Sequence, residues 1–164
     1  MPTARVRRPD RRGTFDEAMD LVARVQVGHL ATITDDGYPY VIPVYHAVLG
    51  GRVMFHSGPA GQKLANIARD SRVCFEVAQV AGLVPNDKLC DWDAKYESAV
   101  VFGCAEVVTD PEAKIAALQA IARKYAGAAA DYSTIRNLAA VTIVAITVEA
   151  ASCKKCRPAE SRKS

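Results

Sequence analysis

The stretch that decides the fold is His29-Leu30-Ala31-Thr32-Ile33-Thr34-Asp35-Asp36-Gly37, continued by Pro39 to Val48 and by Leu49-Gly50-Gly51-Arg52-Val53-Met54-Phe55-His56-Ser57. Its first run is β-prone and closes on Asp-Gly, a pair suited to the tight reversal of one strand into an antiparallel partner. Leu49-Gly50-Gly51 supplies a second reversal. Residues 29–57 therefore predict a three-stranded antiparallel meander.

Upstream, the Thr14 hydroxyl can cap a helix while Glu17 reaches back to the exposed amide, a capping-box pattern that predicts a helix over about 15–25, with Phe15, Met19 and Val22 on one face. Downstream, Leu64, Ile67 and Ala68 predict a short helix over Gln62 to Asp70. Arg72 to Val80 and Ala99 to Thr109 are again β-rich, separated by a polar loop that holds Trp92. Asp110-Pro111 opens a helix whose stripe is Ile115, Leu118, Ile121 and Tyr125, and Val141 to Val148 is the last strand. Six mostly antiparallel strands with three helices do not alternate as βαβ units. They predict an α+β protein, a closed or partly closed antiparallel β-barrel with flanking helices, whose chemistry sits on rims and loops.

The 164 residues are half apolar, enough for one domain with one sizeable core. The net charge of +3 hides an uneven distribution, because residues 1–13 and 154–164 together hold +8. The body is therefore acidic and has no surplus charge for tracking a phosphate backbone, so nucleic acid is not an expected partner. The expected division is a basic flexible N-terminal arm over 1–13, a folded domain over 14–150 and a basic C-terminal tail over 151–164. The most apolar run, Leu138 to Ile146, falls short of the ~18 residues of a membrane span, and the chain reads as soluble and cytoplasmic. Of five cysteines, Cys74, Cys90 and Cys104 are scattered, as suits a reducing compartment. Cys153-Lys154-Lys155-Cys156 is a single CxxC without a second pair or a histidine near it in sequence, too little to assign a metal site.

Chemistry concentrates in Phe55-His56-Ser57-Gly58-Pro59-Ala60-Gly61-Gln62-Lys63-Leu64. A strand end delivers the Ser57 hydroxyl, two glycines let backbone amides approach a ligand, and a helix N-terminus and Lys63 add positive charge. That combination suits a phosphate group, although an ordinary strand-to-helix turn with a solvated lysine uses the same residue types. His56 stands beside this turn. His29 and His46 lie in strands with no charged partner near them in sequence and receive no role. No Ser-His-Asp, Cys-His or HExxH arrangement is present, which removes support for hydrolysis.

Five ordered blocks carry a family resemblance: Gly28-His29-Leu30-Ala31-Thr32, Asp36-Gly37-Tyr38-Pro39 through Val44, Phe55-His56-Ser57 through Ile67, Val73-Cys74-Phe75-Glu76-Val77, and Tyr96-Glu97-Ser98 through Gly103. Together they resemble the pyridoxamine 5′-phosphate oxidase-like superfamily, and most of all its nitroimidazole-resistance (Nim) branch. The resemblance implies an antiparallel split β-barrel homodimer that binds FMN at the subunit interface and reduces small electron-poor compounds, nitroaromatic or quinone. Carried over by position, Pro43, Val44 and Tyr45 would line the flavin, Ser57 and Lys63 would hold its phosphate, and Ser98 would meet the isoalloxazine side. His56 matches the histidine proposed as functional in the Nim branch. No histidine follows His56, so the Arg-x-His pair of the vitamin-B6 oxidases is missing and pyridoxamine phosphate oxidation is not expected. Gln62 falls where those oxidases carry a second basic phosphate ligand, leaving Arg52, Arg69 or Arg72 to supply that charge. The deazaflavin F420 and haem are the alternative cofactors, and a non-catalytic flavin or haem binder is the alternative function.

Overall fold

A computed structural model describes residues 5–88, 92–127 and 137–156. Its strands are β1 (Arg12–Gly13), β2 (Val27–Ile33), β3 (Pro39–Leu49), β4 (Arg52–Ser57), β5 (Arg72–Val84), β6 (Asp93–Val108) and β7 (Thr142–Cys156). Three α-helices interrupt them: α1 (Phe15–Arg24), α2 (Gln62–Arg69) and α3 (Pro111–Ala126). The strand order is β1-β7-β4-β3-β2-β5-β6, with β6 also paired to β7, so six strands close on themselves. This is the antiparallel split barrel. The expected meander forms as β2, β3 and β4, with Ala31 opposite Val41 and His46 opposite Phe55.

Inward residues of the strands build the main core, in which Leu30, Phe55, Phe75, Val101 and Ile146 are fully buried. Leu21 and Val22 of α1 and Ile67 of α2 belong to that same cluster. The α1 capping box forms as expected, with Glu17 N–H donating to the Thr14 hydroxyl at 3.1 Å and Thr14 N–H to the Glu17 carboxylate at 2.8 Å. Its buried face is Ala18, Leu21 and Val22, while Phe15 stays exposed. Helix α3 is capped by Asp110 and covers the outside of the barrel, where Ala117 packs with Met54, Ile143 and Ala145 in a second cluster. Its buried stripe centres on Ala117 and Ile121 rather than on Ile115, which is exposed, because alanine lets the helix lie close to β4 and β7.

Both tails begin later than composition suggests. β7 continues to Cys156, and β1 adds to its edge with Arg12 opposite Lys154 and Gly13 opposite Cys153. Arg11 donates to Asp93 at 2.8 Å, Lys155 bonds Glu17, and Val6 is buried. Thus residues 151–156 and part of the 1–13 arm are structured, since each satisfies the other's backbone and charges; residues 1–4 and 157–164 lie outside the described residues. Cys153 and Cys156 are free thiols, and their three-residue offset on a strand sends them to opposite faces, against a shared metal or a disulfide. Cys90 lies outside the described residues.

One buried polar group sets an acid limit. His46 is fully buried on β3, its ring 4.9 Å from that of Phe75, and its Nε2 lies 2.7 Å from the Val22 carbonyl oxygen. A carbonyl oxygen only accepts, which assigns Nε2–H as donor, and Nδ1 has no hydrogen-bond partner among the described residues. Burial pushes the imidazole down to about 4 and the neighbouring Lys124 ammonium, 3.1 Å from Nε2, down to about 8. The unfolded chain therefore binds a proton at His46 that the native barrel refuses, and stability is lost as pH falls from about 6.5 to about 4. At most this term reaches roughly 3 kcal/mol. Urea midpoints measured across that window are expected to fall less steeply for His46→Gln than for the wild-type chain; parallel slopes would refute the assignment.

Candidate functional site

β4 ends at Ser57, opposite Thr142, and the chain turns through Gly58 to Gly61 into α2. Gly61 has φ 139°, a conformation open to glycine, and donates no side-chain cap. Its carbonyl accepts from the amides of Leu64 and Ala65 at 3.0 and 3.1 Å, so the amides of Gln62 and Lys63 precede the first helical bond and face outward from the helix end. The Ser57 hydroxyl is buried yet has no hydrogen-bond partner among the described residues. A buried, unpaired hydroxyl costs about 1–3 kcal/mol unless a ligand or solvent satisfies it. Lys63, half-buried on the first turn, supplies a full positive charge beside these donors. The turn thus brings together two outward amides, a buried hydroxyl and one positive charge.

None of the three arginines expected to add a second charge is free. Arg52 bonds Glu106, Arg69 donates to the carbonyls of Ile33 and Thr34, and Arg72 pairs with Asp70, whose carboxyl that hydrogen bond holds at about 2. Gln62 is also committed, donating to Asn66 Oδ1 at 2.7 Å, while buried Asn66 donates to the Thr32 hydroxyl at 2.9 Å. This relay pins the first turn of α2 to β2 and replaces the missing cation with a positional brace.

His56 lies opposite Ile143 and is exposed, with no partner among the described residues. Pro43, Val44 and Tyr45 lie opposite His29, Gly28 and Val27 on β2. The β3–β4 ladder ends at His46 opposite Phe55, so Tyr45 and His56 are the first residues beyond it on their strands. Pro43 to Tyr45 and His56 to Ser57 thus flank that end of the ladder, with Val44 packed on the core and Ser57 buried, and Tyr45 and His56 exposed. Tyr45 also meets the Tyr125 ring edge-on at 4.8 Å. Ser98 is placed apart: it faces Ala78 and Lys154, twelve residues along β7 from the Thr142 that faces Ser57, a strand contour of roughly 40 Å.

The outward face of β2 and β3 is unusually apolar. Val27, Ile33, Val41 and Tyr45 are all exposed, Val41 at 58% and Tyr45 at 56%. Beside them a hollow of about 540 Å³ opens between Ala31, Ile33, Pro39, Cys74 and Phe102, lined also by the charged Asp70, Arg72 and Glu149. Amid this surface stands a hydrogen-bonded pair that local sequence does not reveal, His29 Nδ1 with Glu76 Oε2 at 3.0 Å. Its members are 47 residues apart and meet because β2 and β5 pair with His29 opposite Glu76.

The model of the pyridoxamine 5′-phosphate oxidase family matches residues 14–155. The chain belongs to that family. Comparison with solved structures agrees on the fold. An FAD and heme binding protein from Mycobacterium smegmatis superposes with a TM-score of 0.79 at 22% identity, over 90% of this chain and 74% of that one. A candidate 5-nitroimidazole antibiotic resistance protein from Bacteroides thetaiotaomicron gives 0.73 at 23%, over 86% and 83%. An F420 reductase gives 0.56 at 25%, over 80% and 93%. No curated protein matches the chain. Among the described residues no helix is long and apolar enough to cross a membrane.

The brace has a direct test. Asn66→Ala removes the acceptor of Gln62 and the donor to Thr32, and is expected to cost roughly 1–3 kcal/mol in urea unfolding. Gln62→Ala, at an exposed position, should cost under about 0.5 kcal/mol.

Proposed function

We propose that this chain binds FMN and serves as a reductase of small electron-poor compounds of the nitroaromatic or quinone type. The observation that carries the reading is the buried, unpaired Ser57 hydroxyl set against an uncapped helix N-terminus and Lys63. Ser57, Lys63 and the amides after Gly61 would hold the phosphate, and Pro43, Val44 and Tyr45 would line the ring. When bound, the flavin supplies electron-pair transfer, which no side chain here can supply. His56, exposed beside that lining, holds a proton for the oxygen that gains negative charge in such a reduction.

The active unit in this reading is a homodimer. The apolar face of β2 and β3 is what a second copy would cover, and Ser98, remote from Ser57 within one chain, would reach the ring from the partner. Family membership and the flavin-binding, haem-binding and F420-linked neighbours support the cofactor class. The absorbance spectrum of freshly purified protein tests it, with flavin bands at roughly 370 and 450 nm expected, against a Soret band or neither.

Two substitutions separate the roles. Lys63→Ala loses a charge-assisted bond of about 1.5–3 kcal/mol, so FMN should bind about ten- to a hundredfold more weakly while riboflavin, which lacks the phosphate, is nearly unaffected. Equal losses for the two ligands would trace the effect to folding. His56→Gln should keep dimer and FMN affinity and lower turnover of a nitroaromatic about 10²-fold; undiminished turnover would return His56 to a structural role.

A further inference from the structure

The His29–Glu76 pair lies outside the phosphate turn and the core; its residues fall in two of the blocks that carry the family resemblance, which assigns them no role. It stands on the open face, with Pro43 directly across from His29 on one side and Glu76 directly across on the other. Residues opposite each other in a ladder project to the same face, so Pro43, His29 and Glu76 form one row. Val27 and Ala31, two positions either side of His29, give the row apolar flanks. A polar pair on a surface of that kind is costly once the surface is covered, unless its remaining polar atom is satisfied. That atom is identifiable. Glu76 accepts at 3.0 Å from Nδ1, which therefore carries the proton, and Nε2 is left with a lone pair that no described residue meets.

We propose that His29, held in this tautomer by Glu76, is a ligand-contacting specificity residue whose Nε2 accepts a hydrogen bond from the imide N–H of the flat ring lying along Pro43 and Tyr45. The proposal rests on the flavin reading above and deepens it. Pro43 offers the ring apolar contact and no hydrogen-bonding side-chain group, and His29 is the polar residue directly across from it. The chemistry selects for rings with an imide edge, which flavins and deazaflavins share and haem lacks. Glu76 acts as a positioning residue, because without an acceptor at Nδ1 the imidazole is free to carry its proton on Nε2 and turn from acceptor to donor.

Riboflavin and 3-methylriboflavin, which differ only in the imide hydrogen, test this on the intact chain through flavin fluorescence. The wild-type protein is expected to bind riboflavin about tenfold more tightly than its 3-methyl derivative, the worth of one hydrogen bond in a covered site. In His29→Phe that ratio should fall to near one, and in Glu76→Gln it should fall part of the way, with riboflavin affinity still measurable. A ratio that stays unchanged in His29→Phe would overturn the proposal, whether it reflects no preference or steric exclusion of the methyl group elsewhere. Failure of the wild-type chain to bind either ring would overturn the flavin reading and this proposal with it. Riboflavin bound without discrimination would remove this proposal alone.

Discussion

The pairing of β6 with β7 is the contact on which the rest of the molecule depends. It runs from Tyr96 opposite Cys156 to Val108 opposite Ile143, and it joins the two ends of a sheet that would otherwise expose an unpaired edge. The register shifts between Phe102 and Gly103, where Glu149 is left without an opposite number. A bulge of this kind bends a long strand, and here it lets β7 face β4 with its first half and β1 with its last. The same place demands glycine, since a Cβ on Gly103 would lie 2.1 Å from the Thr147 carbonyl oxygen. Gly28 plays the matching part inside the barrel, where a Cβ would lie 2.1 Å from the Phe75 ring.

Closure explains where the chemistry falls. With the interior filled by Leu30, Phe55, Phe75 and their neighbours, no ligand can enter the barrel, and polar groups gather where strands end or where side chains point outward. Ser57 sits at such an end, and His29, Glu76 and Pro43 on such a face. In the proposed reading this layout would give two different kinds of recognition. The turn after Ser57 would hold a phosphate through backbone amides and one charge, giving affinity with little selectivity for the group the phosphate is attached to. The outward row would depend on the tautomer of one imidazole, giving selectivity for the ring edge.

The electrostatics are economical in a specific sense. Arg69 and Arg72, both near the phosphate turn in sequence, are consumed in bracing α2 and the start of β5, which leaves Lys63 to carry the charge there. Structural use of these cations fixes the turn in place. In the proposed reading it would also make phosphate binding depend more steeply on a single lysine than in a site where two or three cations share the charge.

Whatever depends on residues a few positions apart could be read from the chain before it was folded. The two hairpin turns, the capping box of Thr14 and Glu17, the Asp110 cap and the Ser57-to-Lys63 turn were all legible, because turns, caps and strand alternation are local in the chain. The ordered blocks added the family and the row of Pro43, Val44 and Tyr45. Which groups are free and which are committed emerged only on folding. Folding gave His29 a carboxylate from 47 residues away, tied Gln62 through Asn66 to Thr32, extended β7 to Cys156 by pairing it with β1, and parted Ser98 from Ser57. Each of those outcomes is set by the register between strands and by barrel closure, and register is fixed by which inward side chains fill the core together, a property no short window of sequence contains.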